Sequence, residues 1–212
     1  MDAVQAGANA IGLIFYPPSP RHVDLQTACE IVTAIVPAPA VGVFVDATND
    51  QILAAIDDCG LSAVQLHGNE SPEQVAQIQK KSDAVIIKAL FETRSPDFSL
   101  AATFTPDAFL VECGQGLFPG GNAEHWNWAL TKSLNTNRPI ILAGGLTVDN
   151  VAAAATAARP AAVDVSSGVE NAFGRKDINR VKQFIATVKK RLNYHQAHKP
   201  IFTLNPKGPN PC

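Results

Sequence analysis

Hydrophobic and polar positions recur along the chain as one repeated unit: a short apolar run, a polar turn, and then a segment with apolar residues at helical spacing. The apolar runs are Ala10–Tyr16, Ala40–Val45, Ala63–His67, Val85–Leu90, Ala108–Glu112 and the two that begin at Ile140 and Val163. Near-continuous apolar strands that alternate with amphipathic helices are typical of a parallel sheet covered on both faces. The pattern therefore predicts seven parallel strands, each followed by a helical segment. The helix after the sixth strand is expected to run from Thr147, as its cap, to Ala158.

Such a series either closes into a barrel or lies open as a doubly wound sheet. No Gly-x-Gly-x-x-Gly follows an early strand, which disfavours the open dinucleotide-binding version. The predicted fold is α/β, a TIM (β/α)8-type barrel that lacks its first strand. We expect the barrel domain to span residues 1–192, N-terminally incomplete. Residues 193–212, which hold four prolines, are expected to form an irregular tail.

The last two predicted strands both end at glycine, the first at Gly144 and Gly145 and the second at Ser167 and Gly168. Glycine breaks before a helix leave backbone N–H groups that favour an anion. A phosphate-binding β/α barrel has this arrangement after its last two strands. A single glycine pair is equally well explained as a tight turn, but two in series favour phosphate.

Polar residues stand at the carboxyl ends of the predicted strands, where a barrel carries its chemistry. They are Arg21, Asp46, Gln65, His67, Lys88, Glu112 and Asp164. Gln65 and His67 share one face of their strand. A carboxylate such as Asp164 inside a barrel costs several kcal/mol unless it is partnered, which indicates function or a salt bridge. Structural alternatives stay open, namely a surface role for Arg21 and a hydrogen-bonded structural role for His67.

The charge, the length of the apolar runs and the spacing of the cysteines limit which partners and cofactors the chain is expected to bind. The net charge of −2 with scattered Lys and Arg gives no footprint for nucleic acid or an anionic membrane, and no apolar run has the length of a membrane span. The four cysteines show no paired or metal-type spacing, so we expect unpaired thiols in a reduced cytoplasmic chain. His125 has no second ligand at suitable spacing, so no metal site is predicted.

Six ordered motifs carry a family resemblance. They are Gly12-Leu-Ile-Phe-Tyr-Pro-Pro-Ser-Pro-Arg-His-Val23, Val41-Gly-Val-Phe-Val45, Val64-Gln-Leu-His-Gly68, Ile87-Lys-Ala89, Leu142-Ala-Gly-Gly-Leu146 and Val163-Asp-Val-Ser-Ser-Gly-Val-Glu170. From Met1 to about Leu192 the sequence resembles the phosphoribosylanthranilate isomerase family.

The resemblance implies a cytoplasmic TIM barrel of tryptophan biosynthesis that needs no metal or cofactor. It converts the small-molecule substrate N-(5-phosphoribosyl)anthranilate to 1-(2-carboxyphenylamino)-1-deoxyribulose 5-phosphate by an Amadori rearrangement. The implied roles are Glu112 as general acid, Arg21 as partner of the anthranilate carboxylate, Gln65, His67 and Asp164 as lining of the substrate cleft, and the two glycine breaks as phosphate site. A monomer or homodimer without nucleic acid or membrane partners is expected.

The sequence departs from this family in three places. The family's general base is a cysteine in a first-strand Lys-Ile-Cys-Gly, which lies ahead of the part that Met1 matches. Glu112 stands where the family's acid is usually aspartate, and Gly120-Gly121-Asn122-Ala123 replaces a usual Gly-Gly-Thr-Gly. The alternative is therefore a catalytically silent, truncated barrel that binds phosphoribosyl ligands or acts as an interaction module. For the missing first strand, one hypothesis is that the tail takes its place through a strand at Ile201–Leu204.

The position of the family's cysteine, ahead of the part that Met1 matches, leads to a prediction for growth. In a strain that lacks the isomerase, we expect a form with Lys-Ile-Cys-Gly restored to support growth without tryptophan and the 212-residue form to fail, because proton abstraction needs a base at that place. Growth of the short form at the same rate would show that the cysteine is dispensable.

Overall fold

A computed structural model describes residues 2–114, 126–191 and 201–202 of the chain. Its centre is a seven-stranded parallel sheet in which each strand pairs with the next along the chain. The strands are β1 (Ile11–Ile14), β2 (Ala40–Phe44), β3 (Ala63–Leu66), β4 (Val85–Phe91), β5 (Ala108–Glu112), β6 (Ile140–Leu142) and β7 (Ala162–Val163). The seven strands predicted from the apolar runs are confirmed.

Helices cover the outer face of the sheet. They are α1 (Asp2–Gln5), α2 (Leu25–Ile35), α3 (Asn49–Cys59), α4 (Pro72–Lys81), α5 (Val151–Ala158) and α6 (Ile178–Arg191), with 3₁₀ turns at Phe98–Thr103, Trp128–Ser133 and Ser167–Val169. A two-stranded antiparallel hairpin, β8 (Glu170–Ala172) and β9 (Arg175–Lys176), follows the last turn and was not predicted. Among the described residues, no helix combines the length and the apolar character that crossing a membrane requires.

Local sequence signals set the helix starts. The Thr48 side chain accepts from the N–H of Gln51 and the Gln51 side chain accepts from the N–H of Thr48, a capping box that begins α3. Ser71 caps α4 by accepting the N–H of Gln74, and Pro72 occupies the first turn. Thr147, predicted to cap the following helix, does not: α5 begins at Val151 with Asn150 at its cap position. Asn150 is tied instead to the turn before it, since its side chain bonds Thr147 N and Gly145 O.

The strands separate two apolar clusters because successive side chains point to opposite faces. On β4, Ile87, Ala89 and Phe91 belong to the cluster inside the barrel, whereas Ile86 and Leu90 pack against the helices. The polar residues of the strand ends are placed by the same alternation. Gln65, His67, Glu112 and Asp164 continue the inner face, and Lys88 continues the helix face.

Cys29 and Cys59 form a disulfide that links α2 to α3. The expectation that all four cysteines are unpaired thiols is therefore wrong for these two. A separation of 30 residues gives no pairing signal in the sequence; the pair forms because neighbouring helices of consecutive β/α units turn these positions toward each other. Cys113 is a buried thiol, and Cys212 lies outside the described residues.

Within the described residues, the only strand paired with β1 is β2 and the only strand paired with β7 is β6, so a gap separates the two ends of the sheet. At the end of β1, Ile14 also forms a single bridge to His22. One ion pair spans this gap. Arg21, after β1, pairs with Glu170, after β7, at the carboxyl end. Ile201 and Phe202 pack against the inner cluster. These two residues do not form the strand that was predicted for the tail, and Thr203 and Leu204 lie outside the described residues.

The tail contact predicts a deletion phenotype. Removing residues 199–212 uncovers the apolar inner cluster that Ile201 and Phe202 cover, and we expect the soluble yield of the protein to fall several-fold. The matched control removes only residues 203–212 and keeps both apolar side chains, so its yield should equal that of the full chain. Equal yields for both deletions would show that Ile201 and Phe202 contribute nothing to solubility.

Candidate active site

Three polar side chains on the inner face form one buried hydrogen-bond chain at the carboxyl ends of β3 and β5. Gln65 Nε2 lies 2.7 Å from His67 Nδ1, and His67 Nε2 lies 3.1 Å from Glu112 Oε1. Their exposed fractions are 6%, 3% and 4%. Because the Gln65 amide donates to Nδ1, the remaining ring proton sits on Nε2 and is donated to Glu112.

Glu112 is further enclosed by the turn after β6. A Cβ placed on Gly144 would lie 2.9 Å from Glu112 Cβ and 3.2 Å from Trp126 Nε1, so only glycine allows this close approach. Gly144 also adopts φ +79°, a conformation that residues with a side chain rarely take. The turn therefore brings the first glycine break directly against the candidate acid.

Asp164 follows β7 and faces His67 and Glu112 from across the barrel. Burial among the strand ends raises its pKa; His67 and Lys176 oppose that rise and the Glu112 charge adds to it. The Asp164 side chain is nonetheless exposed to solvent. Contact with solvent limits this rise in the pKa.

The two glycine breaks lie in contact. A Cβ on Gly168 would overlap the carbonyl oxygen of Leu146 and lie 3.2 Å from Thr147 Cα, so the second break packs on the backbone of the first. In the described part of the chain, the N–H groups of Gly144, Gly145, Ser167 and Gly168 have no protein acceptor. The structure thus gathers unpaired donors at one place, as an anion site requires.

Arg21 forms a forked ion pair with Glu170. Nε and Nη2 donate to the two carboxylate oxygens at 2.8 and 2.6 Å, and Lys176 Nζ donates to Oε1 at 2.8 Å. The open alternative of a free surface arginine is therefore wrong, since the β8–β9 segment folds back over the loop after β1. In spite of the cost of burial, hydrogen bonds from Arg21 and Lys176 lower the pKa of Glu170 to about 2.

The shifted pKa of Glu170 predicts acid sensitivity. A carboxylate with a lowered pKa stabilises the fold above its ordinary pKa of 4.5, and this contribution is lost as pH falls toward about 2. We expect the free energy of unfolding in urea to drop over this range, and Glu170→Gln to flatten that part of the curve. At pH 7 the variant should lose about 2 kcal/mol, because Arg21 and Lys176 lose the negative charge that they pair with.

The control for this pH series is Glu30→Gln, which alters an exposed carboxylate of α2. Its free energy of unfolding should follow the same dependence on pH as that of the unaltered protein. A Glu170→Gln curve that also runs parallel would show that this carboxylate does not carry the acid sensitivity.

Several site residues were missed or misplaced by sequence reasoning. Lys88 does not line the cleft; it is fully buried on the helix face and paired with Glu70 at 2.7 Å. Glu170 was noted only as the last residue of a family motif, and Lys176 was given no role. Arg94 stacks on the ring of Phe91, 3.3 Å from its centroid, and no sequence signal marked it.

His125 and the loop at Gly120–Ala123, for which predictions were made, lie outside the described residues. Within the described ranges, no three His, Cys, Asp or Glu side chains come together as a metal site would need.

Comparisons with known proteins agree with this geometry. The sequence profile of N-(5'-phosphoribosyl)anthranilate (PRA) isomerase matches residues 1–187. The N-(5'-phosphoribosyl)anthranilate isomerase of Desulfatibacillum aliphaticivorans is 45% identical over 185 residues, which cover 87% of this chain and 84% of the relative.

Solved structures give the same result. The phosphoribosyl anthranilate isomerase of Thermotoga maritima is 34% identical with a TM-score of 0.80, covering 89% of this chain and 92% of that chain. A phosphoribosyl anthranilate isomerase in complex with reduced 1-(o-carboxyphenylamino)-1-deoxyribulose 5-phosphate is 34% identical with a TM-score of 0.77, covering 89% and 91%. The fold is thus the TIM barrel of these proteins. The chain belongs to the N-(5'-phosphoribosyl)anthranilate isomerase family, isomerases of tryptophan biosynthesis.

Proposed function

We propose that the chain binds N-(5-phosphoribosyl)anthranilate with its phosphate on the loops after β6 and β7 and its sugar beneath Glu112 and His67. One observation carries this proposal: the unpaired N–H groups of the two glycine breaks lie at the same barrel end as the buried Gln65–His67–Glu112 chain. A phosphoribosyl group needs an anion site and an acid–base group within one cleft, and these residues supply both.

In the first step, a protonated Glu112 gives its proton to the furanose ring oxygen. The bond between this oxygen and C1 breaks as the nitrogen lone pair forms a C1=N bond, which opens the ring to a Schiff base. Glu112 becomes a carboxylate, and the Nε2–H of His67, 3.1 Å away, stabilises the new charge.

In the second step, a base removes the proton from C2, and its electrons form a C1=C2 bond that neutralises the nitrogen. The resulting enolamine tautomerises as the C2 hydroxyl becomes a carbonyl and C1 gains a proton, so atoms and charge balance overall. The resemblance assigns the base to the first-strand cysteine, which residues 1–212 do not carry. The residues present supply binding and the acid.

Arg21 is proposed to hold the anthranilate carboxylate. Glu170 occupies its Nε and Nη2, and its Nη1 donates to none of the described residues. The fork to Glu170 fixes the plane of the guanidinium and leaves this edge for a second carboxylate. Gln65 and Asp164 are proposed to bind the sugar hydroxyls. We also propose that the protein acts in the cytoplasm as a monomer or homodimer.

Calorimetric titration with the reduced product analogue tests the proposal on the 212-residue chain. The analogue cannot turn over, so binding is measured whether or not the base is present. We expect saturable binding with one site per chain, weakened by added inorganic phosphate because both anions use the same N–H groups. Failure of the analogue to bind, or binding that phosphate does not weaken, would contradict the proposal.

The second candidate is a silent barrel that binds phosphoribosyl ligands without turning them over, and Glu112 in place of the family's usual aspartate favours it. In the form with the first strand restored, it predicts the same binding with no turnover of the true substrate in a fluorescence assay of anthranilate chemistry, whereas the enzyme turns the substrate over.

A further inference from the structure

A buried ion pair lies on the helix face of the sheet, behind the candidate catalytic chain. Lys88 and Glu70 are 0% and 3% exposed, and their charged atoms are 2.7 Å apart. Burial lowers the pKa of Lys88, and the Glu70 carboxylate opposes that change. Because such pairs add little net stability over apolar residues of the same volume, their contribution is sought in the directions of their hydrogen bonds.

The hydrogen bonds of Lys88 enclose His67. Its ammonium donates to Leu66 O at 3.1 Å and to Gly68 O at 2.8 Å, the carbonyls of the residues before and after His67. Glu70 accepts the N–H of Gly68, at 3.0 Å to each of its oxygens. The peptide groups on both sides of His67 are therefore held from the helix face.

A second strand end is tied into the same network. Glu70 Oε1 also accepts the N–H of Asp46 at 3.1 Å, and Asp46 Oδ1 accepts the N–H of Asn69 at 2.6 Å. Gly68 permits the close approach, since a Cβ there would lie 2.6 Å from Asp46 N. The ends of β2 and β3 are thereby fixed relative to Lys88 on β4.

We propose that Lys88 and Glu70 are positioning residues for the isomerase, which fix the His67 backbone so that the imidazole stays between Gln65 and Glu112. A side chain leaves its backbone in a direction set by the flanking peptides, so a rotation of these peptides moves the ring. Only 3.1 Å separates His67 Nε2 from Glu112 Oε1, and a shift of about 0.5 Å already weakens such a bond. The network acts through His67 and does not touch the substrate.

Nitrogen NMR of the histidine rings tests this directly on the full chain. In the unaltered protein we expect His67 to show one tautomer, protonated at Nε2. Lys88→Met removes the donor to Leu66 O and Gly68 O, so the His67 signals should shift toward a mixture of tautomers. In calorimetry, the reduced product analogue should bind about tenfold more weakly to this variant.

Two further variants separate positioning from loss of stability. Ile86→Ala lies on the same strand and the same face, is equally buried, and makes no side-chain hydrogen bond. It should destabilise the fold and leave the His67 signals unchanged. Lys88→Met combined with Glu70→Leu replaces both charges by apolar groups, which buried pairs often tolerate, so it should fold and still show the His67 change.

The inference is overturned if the double variant keeps the unaltered His67 signals, or if Ile86→Ala changes them to the same extent. The affinity measurement rests on the proposed function, whereas the ring signals do not. If the analogue fails to bind the unaltered chain, the proposed function fails and the His67 spectra still decide the role of Lys88 and Glu70.

Discussion

Replacing Glu112 with glutamine is expected to slow isomerisation by at least about a hundredfold, the usual contribution of a general acid. Glutamine keeps the size of the side chain and still accepts from His67 Nε2, but it cannot deliver a proton to the ring oxygen. The dissociation constant of the reduced product analogue should stay within about twofold, since the hydrogen bond to His67 is retained. The rate is measured in the form with the first strand restored, and the dissociation constant in that form and in the 212-residue chain.

The control is Glu112→Asp, which restores the residue usual in the family. It keeps a proton donor, so its rate should lie far closer to that of the unaltered protein than to that of Glu112→Gln. If Glu112→Gln turns over within about tenfold of the unaltered rate, the acid is another group.

Gly168→Ala is expected to weaken binding of the reduced analogue on the order of a hundredfold, or about 2.7 kcal/mol. The added methyl overlaps the Leu146 carbonyl oxygen and lies 2.9 Å from its carbon, so the loops after β6 and β7 must separate. Separation pulls the N–H groups of Gly145 and Ser167 apart, and no single position then satisfies them all. Calorimetry with the analogue and with inorganic phosphate alone measures the loss.

The matched control is Gly12→Ala on β1, where the new Cβ meets only Val43 Cγ2 at the ordinary distance of 3.8 Å. This variant should bind phosphate as the unaltered protein does. A Gly168→Ala protein with unaltered phosphate affinity would show that the two loops do not hold this group.

The strands were predictable because their signal is local. Ala108–Glu112 is observed with the predicted bounds, since a buried parallel strand must be apolar along its whole length. The cap of α5 was predicted three residues too early, at Thr147 and not at Asn150. The Asn150 side chain bonds the Gly145 carbonyl and Thr147 N–H, which keeps this turn out of the helix, and a capping residue in sequence does not reveal that competition.

The candidate site was predictable only in part. Alternation along β3 placed Gln65 and His67 on one face, and the structure brings them to Glu112 from a strand 45 residues away. The partner of Arg21 was not predictable, because Glu170 lies 149 residues further along the chain. Lys88 was grouped with the cleft residues. It stands two residues after Ile86, and residues two apart on a strand share a face, so the sequence already indicated the helix face.

The sequence alone determined the strand order, the inner and outer faces and the two glycine breaks. The alternation of side chains along a strand and the placement of glycine at its end are both properties of neighbouring residues. Only the tertiary structure decided the Cys29–Cys59 bond, the Arg21–Glu170 fork and the buried Lys88–Glu70 pair. Each of these joins separate β/α units. The energy of a buried charge or a cross-link depends on which partner the fold brings within reach, and that distance is set by the packing of the whole barrel.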